Sequence, residues 1–522
     1  MKKTLFALIL FAAVVAFSGC GSRNQGHDEV HSVDTDYIIL QDFAYTIQPI
    51  EDTYPSIDTD CIFLQDFDYM VQLMEDTFPF FGVAERRHGV DLRELLRESR
   101  EFIAGYPYSF VAIVDPTYID MLYEYGFKLD LDNLPELNAH LFWGLLSASF
   151  FTRAASEMED IPIGHLRVLC AEEFDLDRRR YPLSIVRDHA NRAFNASNAI
   201  MFYDDERFRY YFSEAAFDGD NYHYLIIHWL VSMHFAPGFA EETCEICHNM
   251  VATRKFPETA PIHHSSTISY AILEEGRIAY LRIPSFMTDP GRAIAEPFYL
   301  TFFNETIQYY DHLIIDIRGN GGGFSQIWYR GIMYTLWPDM ENVPDMPLYA
   351  FYIDSELGRT LWDANVSLPC SNNFFILEAD YLHARYLPYF NEEDMPLLTQ
   401  GRRITTNMGA HLGNVLIPNT PFAGEIWLLT CSSNYSAAEM FAWHAKHMNF
   451  ATLVGETTGG AHTHGRMWFA LPNTGIVVNW DVDYLTDAYG RSLEEFPTTP
   501  HYFNREGLCA FETVMEMISE MN

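Results

Sequence analysis

Residues 312–323 read His-Leu-Ile-Ile-Asp-Ile-Arg-Gly-Asn-Gly-Gly-Gly. A short apolar run that ends abruptly in glycines is a buried strand entering a turn. Glycine admits positive φ and close backbone approach, so N–H groups in such a turn converge on an anion. The plain alternative is a tight strand-to-helix connection. A phosphate loop is excluded, because no Lys-Ser or Lys-Thr follows the glycines. Tyr280-Leu-Arg-Ile-Pro284 and Ile426-Trp-Leu-Leu-Thr430 read as further buried strands, with helical stretches at 325–336 and 436–448. Strands that alternate with helices predict an α/β layer with a largely parallel core. Residues 466–483 alternate around Pro472-Asn-Thr-Gly475, which predicts a β-hairpin.

A second element follows the strand at Thr430. The chain reads Cys431-Ser-Ser-Asn-Tyr-Ser436-Ala-Ala-Glu439, so a helix begins at or just after a serine. Ser436-x-x-Glu439 is also a capping box, in which the serine would only close the helix end. A helix N-terminus suits a nucleophile equally well, since its dipole and free N–H groups stabilise negative charge.

Four segments occur in order: Tyr280-Leu-Arg-Ile-Pro-Ser-Phe286, Asp316-Ile-Arg-Gly-Asn-Gly-Gly-Gly323, Ser436-Ala-Ala-Glu439 and Val454-Gly-Glu-Thr-Thr-Gly-Gly460. Together they resemble the C-terminal-processing (tail-specific) and tricorn-core serine peptidases over roughly residues 277–505. The resemblance implies an N-terminal helical subdomain and a mixed α/β, ClpP/crotonase-like catalytic core with a β-hairpin region. It implies Ser436 as nucleophile, with the backbone N–H groups of Gly322 and Ala437 as the oxyanion hole. It implies a peptide or unfolded protein segment as substrate, and no cofactor or metal.

The tail-specific branch activates its serine with a lysine, and the matching position here is Thr457. The chain has five lysines, at 2, 3, 128, 255 and 446. Lys446 lies ten residues past Ser436 on the same predicted helix, about 15 Å along its axis, and is out of reach. Lys128 and Lys255 fall outside the matched segments. The tricorn-like branch uses a histidine from the helical region, and Arg87-His88-Gly-Val-Asp91 resembles that segment. His88 is therefore the expected base, an imidazole able to take the serine proton and return it to the leaving amine. Glu494 matches the glutamate that completes the site in that branch, with Glu495 adjacent. His165, in Ile163-Gly-His165, is the alternative base. Two departures bear on the network: Arg87 stands where the branch has a serine, and Pro500-His501 where it has Pro-Asp. A non-catalytic binding protein on the same fold, taking a peptide or small apolar ligand, is the other functional class.

The resemblance divides the chain into a helical subdomain (58–169), an intermediate region (170–270) and the core (271–522). Relatives often carry a PDZ-type module in the intermediate place, but no carboxylate-binding loop of that kind is visible here. Ahead of these lie Lys2-Lys3, an apolar run from Leu5 to Phe17 and Ser18-Gly19-Cys20. This pattern predicts a signal peptide at 1–19 and lipidation of Cys20, hence an extracytoplasmic protein tethered to a bacterial membrane. Residues 34–55 realign on 58–79 with 14 of 22 positions identical. The second copy has helical spacing at Phe67, Met70, Val71 and Met74, with Asp66 as its expected cap, whereas Pro49 interrupts the first, which is expected to act as a spacer (20–57).

The formal charge of −39 argues against nucleic acid as a partner. Without Cys20, seven cysteines remain, an odd set. Cys244-Glu-Ile-Cys247-His248 has the form of a haem-attachment motif, but one five-residue match is weak, and a local disulfide or buried thiols is the plainer expectation. His462 and His464 are expected to sit in a polar loop rather than on a metal.

Overall fold

The computed structural model describes residues 61–124, 129–158, 163–168, 223–235, 263–264, 268–287, 301–339, 346–359, 375–406, 420–462 and 466–521. The predicted signal segment, Cys20, the first repeat copy, the Cys244–His248 motif and His464 lie outside them. So does most of the intermediate region.

Helices open the described chain: α1 (Ile62–Thr77), α2 (Phe81–His88), α3 (Leu92–Ala104), α4 (Tyr108–Ile113), α5 (Pro116–Glu124), α6 (Ala139–Leu146) and α7 (Arg153–Glu157). A π-helical turn, Ser147–Thr152, joins the last two. Asp91 caps α3, accepting from the amides of Arg93 and Glu94. Strand β1 (Arg167–Val168) and helix α8 (His223–Phe235) follow. α8 packs on α6 and its π-turn, with His228 stacked on Trp143 and Phe235 edge-on to Phe102. This piece of the intermediate region thus belongs to the helical layer.

Beyond it run β2 (His263–His264), β3 (Ser269–Glu274), β4 (Ile278–Arg282), β5 (His312–Asp316), α9 (Ser325–Trp328), α10 (Tyr334–Leu336), β6 (Pro347–Phe351), β7 (Phe375–His383) and β8 (Gln400–Thr406). Then come β9 (Glu425–Thr430), α11 (Ala437–His447), β10 (Thr452–Gly455), β11 (Arg466–Ala470), β12 (Val477–Asp481), β13 (Tyr484–Thr486), β14 (Tyr502–Phe503) and α12 (Ala510–Glu520).

Among the described residues the main sheet has seven strands in the order β14-β10-β9-β5-β4-β3-β2. From β14 to β4 all pairings are parallel, and β4-β3-β2 is antiparallel. Parallel strands must be covered on both faces, and the side-chain alternation meets that demand. Leu428, Ile315 and Leu453 pack with Ala437, Phe441 and Trp328 on one face. Trp427, Leu429, Ile314 and Val454 meet Val514 and Ile518 of α12 on the other. The expected strands, helices and parallel core are all present, and the architecture is mixed α/β.

The hairpin predicted at 466–483 is β11-β12, antiparallel, with β1 added to its edge. Its Val478 and Trp480 share one apolar core with Phe67, Met70 and Met74 of α1. Asp66 corrects an expectation. α1 begins at Ile62 with Cys61 before it, so Asp66 is inside the helix and does not cap it. Instead its carboxylate accepts from the Asn473 and Thr474 amides (2.9 and 2.8 Å) and from the Thr474 hydroxyl (2.6 Å). A fully buried carboxylate satisfied in this way fixes the hairpin tip to α1. Burial pushes its pKa up, and those hydrogen bonds pull the other way.

Candidate active site

β9 and α11 are joined by a tight connection that ends at Ser436. Its backbone has φ 56° and ψ −121°. A non-glycine residue held there stores roughly 1–3 kcal/mol of strain, kept only where the surroundings over-determine it. Here the Ser436 amide donates to the Gly460 carbonyl (3.0 Å), the Met440 amide donates to the Ser436 carbonyl (2.9 Å), and Tyr435 bridges Gly460 in parallel register. The capping box is not made. The Ser436 side chain forms no cap bond, and Glu439 turns away to accept from the Thr498 amide and hydroxyl (3.1 and 2.6 Å). The serine hydroxyl is thereby left at the mouth of a helix rather than closing it.

The glycine turn lies directly against this connection. Gly322 has φ 101°, and a Cβ there would stand 2.9 Å from Ser436 Cβ and 3.0 Å from the Ala437 amide nitrogen. Only glycine allows that approach. Ala437 is the first residue of α11, so its N–H has no carbonyl partner within the helix. The Gly322 N–H differs from expectation, because it donates to Asn320 Oδ1 (2.9 Å). It can serve an oxyanion only if it shares or leaves that acceptor. Asn320 is itself fixed, donating to the Ile283 carbonyl (3.0 Å), and Asn434 spans both loops by donating to the Ile317 carbonyl (2.5 Å) and accepting from the Cys431 amide (2.8 Å). At the strand end, burial pushes the Asp316 carboxyl up, but Arg318, Arg282 and the Tyr280 hydroxyl outweigh it and hold the pKa below the ordinary value.

His165 is 6% exposed, and its Nδ1 lies 2.5 Å from Asp481 Oδ2 on β12. Its ring meets Tyr435 edge-on at 5.0 Å, and its amide donates to the Tyr435 hydroxyl (3.3 Å). Glu494 is fully buried beside it, with Oε1 accepting from the Gly164 amide (2.9 Å). Burial raises the Glu494 pKa to about 7, with the Arg87 charge and the Gly164 amide pulling down and Asp481 pushing up. His88 ends α2 and is half-buried. Its neighbour Arg87 donates to the Glu494 carbonyl (2.7 Å) and the Gly459 carbonyl (2.9 Å), next to the glycine that holds the Ser436 amide. Arg86 adds bonds to Glu495 (3.0 and 2.8 Å) and Asp394 (3.2 and 2.7 Å).

The structure therefore gathers Ser436, Ala437, Gly322, His165 and Glu494 around one connection and brings the end of α2, with His88, beside it. Lys446 points elsewhere, donating to Thr499 (2.6 and 3.0 Å). His462 is fully buried against Trp443 and His444, so the polar-loop expectation fails for it. Among the described residues no cluster of His, Cys, Asp and Glu could hold a metal ion. Asp481, Tyr435, Asn320 and Asn434 went unnoticed in the sequence. His165 and Asp481 are 316 residues apart, and no spacing rule connects them.

The site is thus a serine at a strand–helix junction facing a glycine turn on an α/β core. Residues 277–344 and 381–502 match the family described as Peptidase family S41. Solved structures similar to it include mature CPAF complexed with lactacystin, at 12% identity and TM-score 0.42, covering 88% of this chain and 97% of that one. A photosystem II D1 C-terminal processing protease is 16% identical at TM-score 0.27, covering 46% of each chain. A lipoprotein from Streptococcus agalactiae is 17% identical at TM-score 0.32, covering 54% of this chain and 81% of that one. No curated protein matches the chain.

Gly322→Ala tests the close approach of the two loops. Its methyl would collide with Ser436 Cβ and with the Tyr435 carbonyl at 2.7 Å. The expected result is a fall in kcat of about 10²–10³-fold, the usual loss for a disabled oxyanion site, in a protein that still folds with a lowered melting temperature. Wild-type turnover by this variant would show that the glycine turn does not serve the serine.

Proposed function

We propose that this chain cleaves peptides or unfolded protein segments through an acyl-enzyme on Ser436, with His88 as general base. The observation that carries the reading is the backbone of Ser436, held at φ 56° at a helix start with its hydroxyl uncommitted to capping. In this reading Ser436 Oγ attacks the scissile carbonyl carbon while His88 takes the hydroxyl proton. The oxyanion forms beside the Ala437 amide, with Gly322 as second donor once its bond to Asn320 opens. Collapse breaks the C–N bond, and His88 returns the proton to the leaving amine. Water then repeats the sequence to free the acyl group. Glu494 completes the site by steadying the imidazolium, which requires it ionised.

The buried His165–Asp481 pair supports a second reading of the base. An aspartate on Nδ1 orients a histidine as a triad requires, and the His165 ring already touches Tyr435. Against it stands burial: a base must reach a proton on an incoming substrate, and His88 is the more exposed of the two. We assign the His165–Asp481 pair to holding Tyr435, and through it the serine.

Ser436→Ala is expected to abolish hydrolysis of fluorescein-labelled casein without lowering the melting temperature, and His88→Ala to remove at least 10³-fold of the rate. Equal turnover by wild type and Ser436→Ala would sink the reading. Loss of rate in His165→Ala together with retained rate in His88→Ala would transfer the base to His165.

The N-terminal pattern supports an extracytoplasmic protein anchored by lipid on Cys20. No helix among the described residues is long and apolar enough to cross a membrane. Cys20→Ala should then stop incorporation of labelled palmitate and move the protein to the soluble fraction; unchanged labelling would remove the anchor from the account.

A further inference from the structure

We propose that Arg87 is the positioning residue of this site, joining the segments that carry the base, the buried glutamate and the nucleophile; the proposal rests on the peptidase reading above.

Three segments far apart in sequence meet at its guanidinium. Nη1 donates to the carbonyl of Glu494 and Nη2 to the carbonyl of Gly459. The next residue, Gly460, accepts from the Ser436 amide, and a Cβ on Gly460 would lie 3.0 Å from Arg87 Nη1. The residue after Arg87 in the chain is His88. One planar fork thus sets the spacing between the end of α2, the 494 segment and the turn that holds the strained serine. A lysine could place a charge there, but its single nitrogen lacks two donor nitrogens held apart in one rigid plane. This gives a physical role to the position at which the chain departs from the tricorn-like pattern.

Arg87 is also the cation that faces the buried carboxyls. Glu494 and Glu439 are both fully buried, burial raises the pKa of each, and the Arg87 charge opposes the rise in both. Asp481 and the buried Tyr435 also face Glu494. His165 adjoins Gly164, and His88 adjoins Arg87. The sign of the expected pH effect follows from the cation. With Arg87 present Glu494 titrates near 7, and the site works above that pH, where the carboxylate is ionised. Without the cation the pKa rises further, so the activity limb moves to higher pH.

The test uses the pH dependence of Ser436 labelling by a fluorophosphonate probe, together with casein hydrolysis, in wild type, Arg87→Gln, Arg87→Lys and Ser436→Ala. Arg87→Gln is expected to label at least tenfold more slowly, with its limb moved to higher pH. Arg87→Lys keeps the charge and loses the fork, so it should label slowly with the limb unmoved. It carries the test if the glutamine variant fails to fold. KM for casein should change less than threefold in either. A purely structural arginine would lower the melting temperature yet leave both the limb and the labelling rate of folded protein unchanged, and that result would overturn the proposal while the peptidase reading stands. Casein hydrolysis by Ser436→Ala at the wild-type rate would overturn the reading and the role of Arg87 with it.

Discussion

A serine at φ 56° and ψ −121° does not keep that backbone without help. The hydrogen bond from its amide to the Gly460 carbonyl supplies much of the help, and most other features of the site exist to hold those two segments in register. Gly460 follows β10, Ser436 follows β9, and the two strands pair in parallel over four residues. The register of a parallel pair therefore decides where Ser436 stands. Asn434 adds a second tie, since its carbonyl accepts from the Gly459 amide and its side chain reaches the Ile317 carbonyl.

The helical layer does more than cover the hairpin. Its apolar core runs continuously into β11-β12, so α2 and the Gly164–His165 turn are carried to the site by packing rather than by a flexible connection. Gly164 shows how tight this is, because a Cβ there would stand 2.6 Å from the Phe80 ring. The same packing removes Glu494, Glu439 and Asp481 from water. Buried carboxylates are costly unless paired; the Arg87 charge offsets that cost at Glu494 and Glu439, and His165 pairs with Asp481.

Much of the core was legible from residues alone. Runs such as Leu313–Ile315 and Ile426–Leu429 are buried on both faces, which makes them unbroken apolar strands. The hairpin at 472–475 announced itself through turn chemistry. Asp66 was misread because a polar residue at the start of an apolar helical pattern looks the same whether it caps that helix or a turn 400 residues away. The glycine turn and Ser436 were visible as a local pattern, but the occupied amide of Gly322 was not, since it depends on the rotamer of Asn320. Asp481 and the anchoring role of Arg87 were hidden for a simpler reason: contacts across more than 300 residues leave no periodicity to read.

The central claim is that Ser436 is the nucleophile, and the most direct measurement is the site of a covalent adduct. Incubation with a fluorophosphonate, followed by intact mass and peptide fragmentation, should find one adduct per chain, on the peptide containing Ser436, and none on heat-unfolded protein. A natively folded chain that stays unmodified, or an adduct on any other residue, would contradict it.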